Sequence, residues 1–402
     1  MFPSSAAAML TLAELFDVVR HTPLYDSWPV HGPNLPQQPG DPFWLRLPTL
    51  GAGQLACFTS ECQDCFPSGN RLFLSSGTQG KPKLMPFTDA DLQRVAELCG
   101  RFSLLEGIDA NTRSMVLLPM ASWTVGRITM DGHRKAGAQV HGVDLHGGVT
   151  AWQQACDAIR PTVISSTPSV LAAWAPYYSG PKLTLVETTG ESLLESERRL
   201  IEARFGAFVY DAYGLTECVV GVECAVRQGF HYWQDSVYVE ILDPHLDQPL
   251  PTGAMGEIVL TSFQQGSLPV LRYRSGDLGR LAVVPCPCGR KEPLLYLHGR
   301  KEPNLALSRG VNLDRSLLEG ALQAWGYNHL RVVWKGTPQS PAAPFLVDQF
   351  RPTLEISWRV DANTKEPSVL RRYLLDQFME LAELIHEGDL DLVLLPQRVG
   401  VS

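Results

Sequence analysis

What most limits the folds open to this chain is an alternation that runs through its first 210 residues. Short runs rich in β-branched and aliphatic residues, RLFLS (71–75), SMVLLPM (114–120), AQVHGV (138–143), PTVISS (161–166) and KLTLVET (182–188), are separated by stretches of helical period. The helical stretches are DLQRVAELCGRF (91–102), Trp152 to Arg160, Ser169 to Ala175 and Leu193 to Arg204. Thr88 followed three residues later by Asp91 supplies a capping signal for the first of them. Strand and helix in alternation predict an α/β fold with a mainly parallel sheet covered on both faces. After Gly229 the texture changes to hairpin-like β: VYVEIL (237–242), the turn-rich DPHLDQPLPTGAMG (243–256), then GEIVLTS (256–262). A second unit is expected after Gly299, with a helix over Leu317 to Trp325, strands at Leu330 to Trp334 and Leu354 to Val360, and a long amphipathic helix from Val369 to His386. The expected division is therefore 1–299 and 300–402.

Charge excludes some functions. The net charge is -8, only 19% of the 402 residues are charged, and no basic patch stands out, which argues against a nucleic-acid partner or an anionic membrane surface. The start, MFPSSAAAMLTLAELFDVV, has no basic lead and carries Glu14 and Asp17 within its apolar spacing, so it reads as an amphipathic helix and not as a signal peptide. No apolar run is long enough to span a bilayer. Nine cysteines, with close pairs at Cys62 and Cys65 and at Cys286 and Cys288, suggest metal ligands or free thiols in a reducing cytoplasm rather than a disulfide framework.

The stretch LSSGTQGKPK (74–83) has the composition of an anion cradle, with hydroxyls and unobstructed backbone N–H groups in succession. It is not the P-loop pattern, because Pro82 follows Lys81 where that pattern needs serine or threonine. Downstream, in order, stand DAYGLTE (211–217), GEI (256–258), LRYRSGDLGRL (271–281) and HGRKEPNLALSRGVN (298–312). From residue 72 to about 315 this ordered series resembles the adenylate-forming superfamily of acyl-coenzyme A synthetases, adenylation domains and luciferases. TPLYDSW (22–28), SSTPSVL (165–171), ECAVRQGFH (223–231) and CPCGR (286–290) resemble its phenylacetate-coenzyme A ligase branch. The fold class expected is then a large α/β N-terminal adenylate-forming core with a β-rich part, plus a small, mobile α+β C-terminal domain.

The chemistry that the resemblance implies fits these residue types. Joining a carboxylate to the α-phosphate of ATP brings two anions together and expels pyrophosphate, so charge must be neutralised around the reacting phosphorus. Ser75, Ser76, Gly77, Thr78 and Gly80 are expected to hold the departing phosphates, with Lys83 as a nearby cation. Thr216 and Glu217 lie just past a predicted strand end, and Glu217 is the candidate Mg²⁺ ligand. The resemblance assigns Asp277 to the ribose hydroxyls, Gly190, Glu191, Asp211, Tyr213 and Gly214 to the adenine site, and Arg300 to the ribose from the domain junction. Taken alone, Glu217 reads more often as a solvated strand-end loop glutamate, and Asp277 as an ordinary turn aspartate. Lys301, Glu302 and Pro303 occupy the hinge, where the proline fixes one backbone angle.

Cys224, His231, Cys286 and Cys288 offer three thiolates and an imidazole, the donor set of a closed structural Zn²⁺ site, and the phenylacetate-ligase resemblance carries such a set. The competing reading places metal, or free thiols, at Cys57, Cys62 and Cys65. The family usually carries a Gly-Lys pair in its last segment, whereas here Gly400 is followed by Val401, which makes Arg398 the candidate substitute. The expected activity is conversion of a small, aromatic carboxylic acid to its acyl-adenylate. Coenzyme A is one expected acceptor; an acyl-carrier protein, an amine or a reductase are others, and a nucleotide-binding protein without turnover is a further alternative. Trp123 and the segment GRITMDGHRKAG (126–137) fall where relatives shape the acid pocket.

Overall fold

A computed structural model of the chain describes residues 8–32, 35–62, 66, 70–75, 83–120 and 123–301, and beyond them 304–306, 312–314, 322, 328–335, 353–359, 366–377, 381, 385–386 and 391–397. The strands are β1 (Arg71–Ser75), β2 (Lys83–Phe87), β3 (Arg113–Leu117), β4 (Gln139–Gly142), β5 (Val163–Ser166), β6 (Leu185–Thr189), β7 (Phe208–Leu215), β8 (Cys218–Glu223), β9 (Phe230–His231), β10 (Val237–Leu242), β11 (Gly256–Ser262), β12 (Tyr273–Leu281) and β13 (Leu294–Arg300). The helices are α1 (Leu12–Arg20), α2 (Ala52–Glu61), α3 (Asp89–Glu106), α4 (Thr124–Lys135), α5 (Gly148–Ile159), α6 (Pro168–Trp174) and α7 (Glu195–Phe205).

One 11-stranded sheet organises the molecule, in the order β10-β11-β12-β13-β9-β8-β7-β6-β5-β3-β4. β4, β3, β5, β6 and β7 pair in parallel, and every pairing from β7 to β10 is antiparallel. The β-rich part expected after Gly229 is thus no separate layer, but continues the parallel sheet through the short strand β9. In the parallel half the chain steps from β3 outward to β4 and then back past β3 to β5. This reversal opens a crevice at the carboxyl ends of the strands, where open α/β sheets bind ligands.

Local chemistry explains the elements that frame this crevice. Thr88 caps α3 through its side chain and Asp91 answers on the backbone of Thr88, completing the box expected from sequence. α3 and α4 pack closely because Gly132 of α4 lacks a Cβ, which would fall 2.4 Å from that of Cys99. Under the parallel strands lies a core with Ile164, Val186 and Val209 against Trp174 and Phe205. The antiparallel half has its own core around Val220, Val239, Ile258 and Leu295. The N-terminal segment packs Phe16 and Trp44 with Phe87 and Tyr273 in a third.

After Arg300 the described strands leave the large sheet. β14 (Asn304–Ala306) pairs with β15 (Asn312–Asp314), while β16 (Asn328–Lys335), β17 (Thr353–Arg359) and β18 (Asp391–Gln397) form a three-stranded sheet accompanied by α8 (Pro367–Gln377). β16 and β17 are the two strands predicted for this unit. Most of the helix expected at 317–325 lies outside the described residues; α8 is described from Pro367 to Gln377, and Leu381, Ile385 and His386, further along the stretch predicted to run to His386, are helical as well. Among the described residues no helix is long and apolar enough to cross a membrane.

Candidate functional site

A cavity of about 170 Å³ sits at the carboxyl ends of the parallel strands. β6 contributes Glu187, Thr189 and, just beyond its end, Gly190; β7 and the turn after it contribute Tyr213, Gly214, Thr216 and Glu217. Gly190 has φ +82°, a left-handed turn that lets the chain leave β6 sharply without a side chain in the opening. One wall is helical: Phe102 and Ser103 of α3 face Thr124, Ile128 and His133 of α4, with Trp123 at the head of α4.

Sheet register assembles the charged end of the cavity. Ser75 closes β1 and Lys83 opens β2, and the two are paired across the hairpin, flanking the glycine loop. Lys83 Nζ lies 2.5 Å from Glu217 Oε1, both side chains being buried. Lys83 also donates to Tyr273 Oη (3.1 Å), and Tyr273 Oη donates to Glu217 Oε1 (3.0 Å). Burial opposes both charges, but each partner outweighs it in the other, so the Lys83 pKa rises and that of Glu217 falls below the usual carboxylate range. Ser75, 4% exposed, lines the same cavity with its hydroxyl lacking a hydrogen-bond partner among the described residues.

A second chain of contacts runs between β7, β12 and β13. Register sets Asp277 of β12 opposite Arg300, the last residue of β13. Arg300 Nε approaches Asp277 Oδ1 to 2.8 Å, and Tyr213 Oη donates to Asp277 Oδ2 at 2.6 Å. Tyr213 and Arg300 line the cavity, whereas Asp277 is held behind them. Burial raises the Asp277 pKa, against the pull of Arg300. At the deep end, His133 Nε2 donates to Glu187 Oε2 (3.2 Å) and its Nδ1 hydrogen-bonds Ser114 Oγ (2.7 Å).

The two halves of the cysteine set meet because β9 pairs with β8 on one side and with β13 on the other, with His231 opposite both Val222 and Leu294. Cys224 just after β8, His231 on β9, and Cys286 and Cys288 in the β12–β13 loop bring their ligand atoms within 4.8 Å of one another. Cys224 and Cys286 Sγ atoms are 3.7 Å apart, and Cys288 Sγ is 3.4 Å from His231 Nε2. Tetrahedral zinc with Zn–S bonds of about 2.3 Å separates its sulfurs by about 3.8 Å. His231 Nδ1 donates to the Glu292 carbonyl (3.0 Å), which leaves Nε2 as the nitrogen that could act as a ligand. In the competing set, Cys57 is exposed beside Glu61, Cys62 is disulfide-bonded rather than a free thiol or ligand, and Cys65 lies outside the described residues.

Comparison with known proteins agrees with this geometry. Residues 71–265 match the family described as AMP-binding enzyme. Phenylacetate-coenzyme A ligases from Thermus thermophilus and Pseudomonas putida are 33% and 32% identical, over 63% and 62% of this chain. By these matches the chain is similar to the adenylate-forming superfamily. It spans 59% and 58% of the length of those two relatives. Among solved structures, 2-hydroxyisobutyryl-CoA ligase in complex with 2-HIB-AMP and CoA, in the thioesterification state, matches with a TM-score of 0.76 at 22% identity, covering 98% of this chain and 89% of that one. The amide bond synthetase McbA from Marinactinospora thermotolerans matches at 0.55 and 18% identity, covering 84% and 67%. These structural likenesses establish the adenylate-forming fold.

Of the residues read from this adenylate-forming pattern, Ser75, Lys83, Gly190, Tyr213, Gly214, Thr216, Glu217 and Arg300 all reach one cavity. Asp277, Asp211 and Glu191 are not among its lining residues: Asp211 accepts from Thr188 Oγ1 (2.8 Å), and Glu191 accepts from the Ser169 backbone N–H (3.0 Å) and hydroxyl (2.8 Å). Ser76, Gly77, Thr78, Gly80, Glu302, Pro303 and Arg398 lie outside the described residues. Lys301 is tied to the large sheet, its N–H donating to the Gly276 carbonyl (2.8 Å) and its Nζ to that of Pro244 (2.7 Å). Sequence reading missed Tyr273, whose hydroxyl joins Lys83 to Glu217, and Glu187. The signal for Glu187 was present: a carboxylate inside KLTLVET is out of place in a strand buried on both faces.

Proposed function

We propose that this chain activates a small carboxylic acid with ATP, forming an acyl-adenylate and releasing pyrophosphate, and then passes the acyl group to coenzyme A. A carboxylate oxygen attacks the α-phosphorus as the bond to the β-phosphate breaks, and the coenzyme A thiol then displaces AMP from the acyl carbon. The observation that carries this reading is the convergence of Lys83, Glu217, Arg300 and the Ser75 hydroxyl, unpartnered among the described residues, on one cavity beside the Gly190 turn. Lys83, held as a cation by Glu217, offsets phosphate charge, and the Ser75 hydroxyl is a donor awaiting an anionic acceptor. Gly190 and Tyr213 give an open turn and an aromatic edge for the nucleotide, with Arg300 and Asp277 at the ribose side.

Glu217 fits a hard divalent cation, because it is an anionic oxygen donor at the cavity wall. Bound there, Mg²⁺ would add positive charge at the phosphates. The apolar part of the wall, with Trp123, Phe102 and Ile128, suits an aromatic acid. The Cys224, His231, Cys286 and Cys288 cluster fits structural Zn²⁺ by donor type and spacing, with no position left open for substrate. The names of the phenylacetate-coenzyme A ligases and of the CoA-bound 2-hydroxyisobutyryl-CoA ligase support coenzyme A as acceptor.

Pyrophosphate release measured over a panel of carboxylic acids, with and without coenzyme A, tests the reading. The expected result is release that requires ATP, Mg²⁺ and one class of acid, with AMP and thioester appearing when coenzyme A is added. ATP binding without release for any acid would mark a nucleotide-binding protein instead.

A further inference from the structure

The deep end of the cavity holds a group that the adenylation chemistry does not use. His133 and Glu187 line it, 1% and 8% exposed, hydrogen-bonded to each other within a wall that carries Phe102, Ile128 and Val222 beside Cys99, Ser103 and Thr129. A carboxylate buried in such a wall is costly unless its remaining lone pairs are satisfied. Nearby, at the end of α3, Glu106 is buried with neither carboxylate oxygen hydrogen-bonded among the described residues. Burial, reinforced by the Glu187 charge, raises the Glu106 pKa well above the carboxylate range, while His133 overrides burial to keep Glu187 ionised. The N–H of His133 Nε2 is already given to Glu187 Oε2, so what the pair offers a ligand is carboxylate acceptor capacity.

Its position relative to the reacting centre follows from the strand. Glu187 and Thr189 are two residues apart on β6 and so share one face, with Glu187 roughly 7 Å farther from the carboxyl end of the strand. Thr189 and Gly190 stand at that end, with the nucleotide-facing residues. A ring lying along α4 between Trp123 and His133 spans such a distance. Its far substituent then meets Glu187.

Resting on the adenylation reading above, we propose that the His133–Glu187 pair selects a carboxylic acid whose end remote from the carboxyl group carries a hydrogen-bond donor, a hydroxyl or an amino group. An acid lacking the donor leaves the buried carboxylate desolvated and unmatched. A second carboxylate there meets like charge. Selectivity by such a site is strong because rejection comes from unpaired polar groups rather than from lost contact area.

The test is pyrophosphate release by the full chain with shape-matched acids: phenylacetate and benzoate against their 4-hydroxy, 4-amino and 4-methoxy derivatives. Donor-bearing acids should show kcat/KM roughly 10- to 100-fold above both the unsubstituted and the methoxy acids, as a hydrogen bond to a charged group provides. The difference should lie mainly in KM. Glu187→Gln, which keeps size but not charge, should collapse the ratio toward one, a change that a purely structural role would not produce. If that variant does not fold, the wild-type panel decides alone. Equal use of methoxy and hydroxy acids, or an undiminished ratio in Glu187→Gln, overturns the proposal. If no acid supports release, the adenylation reading fails separately, and thermal-shift measurements with the same acids plus AMP still judge the pocket: stabilisation by the donor-bearing acids only sustains it, and stabilisation by none, or equally by all, refutes it.

Discussion

Lys83 and Glu217 keep each other charged at a depth where either alone would tend to lose its charge. Removing one therefore acts on fold and chemistry together, because the survivor becomes an unpaired buried ion. Glu217→Gln retains an acceptor for Tyr273 and Lys83 but loses the anion. It should lower pyrophosphate release by roughly 10²-fold or more, the scale seen when one transition-state electrostatic partner is removed. Kinetics alongside circular dichroism checks this, and unimpaired release would remove Glu217 from the machinery. Asp211 gives a different residue-scale prediction. Burial pushes its carboxyl from 3.8 up to about 8, so the folded state binds a proton that the unfolded state has released across that window. By linkage the Asp211 contribution makes stability fall as pH rises between those values, by at most about 1.4 kcal/mol per pH unit. Asp211→Asn should thus gain stability relative to wild type as pH rises from 4 to 8, as followed by urea denaturation at several pH values. A difference that stays flat with pH would mean that Asp211 is ionised in the fold.

At the scale of elements, a buried ion pair of the antiparallel half also holds the N-terminal segment, through hydrogen bonds to Trp44 and Leu47. Arg272, on the approach to β12, has φ +47° and lies 3.0 Å from Glu240 of β10. Its guanidinium also donates to the Leu47 carbonyl, while Trp44 Nε1 donates to Glu240 Oε2 (3.1 Å). Arg272→Ala should cost about 3–5 kcal/mol, since Glu240 is left charged and unpaired, and replacing Glu240 by Leu in that background should recover part of the loss. Denaturant midpoints of the single and double variants read this out, and additive losses would contradict it. The two-residue strand β9 shows how a small element can matter through its neighbours. It joins β8 to β13, and so links β7 and β8 to the strands from β13 to β10.

That junction sets the expectation for the whole molecule. If zinc binds Cys224, His231, Cys286 and Cys288, the metal ties the β8 end to the β12–β13 loop across the middle of the large sheet. Purified protein should contain about one zinc per chain, as one closed site requires, and chelation or Cys286→Ser should lower the melting temperature of the entire core rather than of one loop. Metal analysis that finds none, or a melting temperature indifferent to chelator, would reject the site. The sequence carried the parallel strands and their helices, because alternation of apolar runs with helical period, and caps such as Thr88 with Asp91, are local properties of the chain. It also carried the ordered motifs that hold Ser75, Lys83, Gly190, Thr216 and Glu217. What only the tertiary structure decided are pairings between distant segments: Lys83 with Glu217 and Tyr273, Asp277 with Arg300 and Tyr213, His133 with Glu187, and β9 as the bridge within a single sheet. Each of these depends on strand register and helix packing, which bring side chains dozens to hundreds of positions apart within hydrogen-bond reach, and no local propensity encodes such a distance.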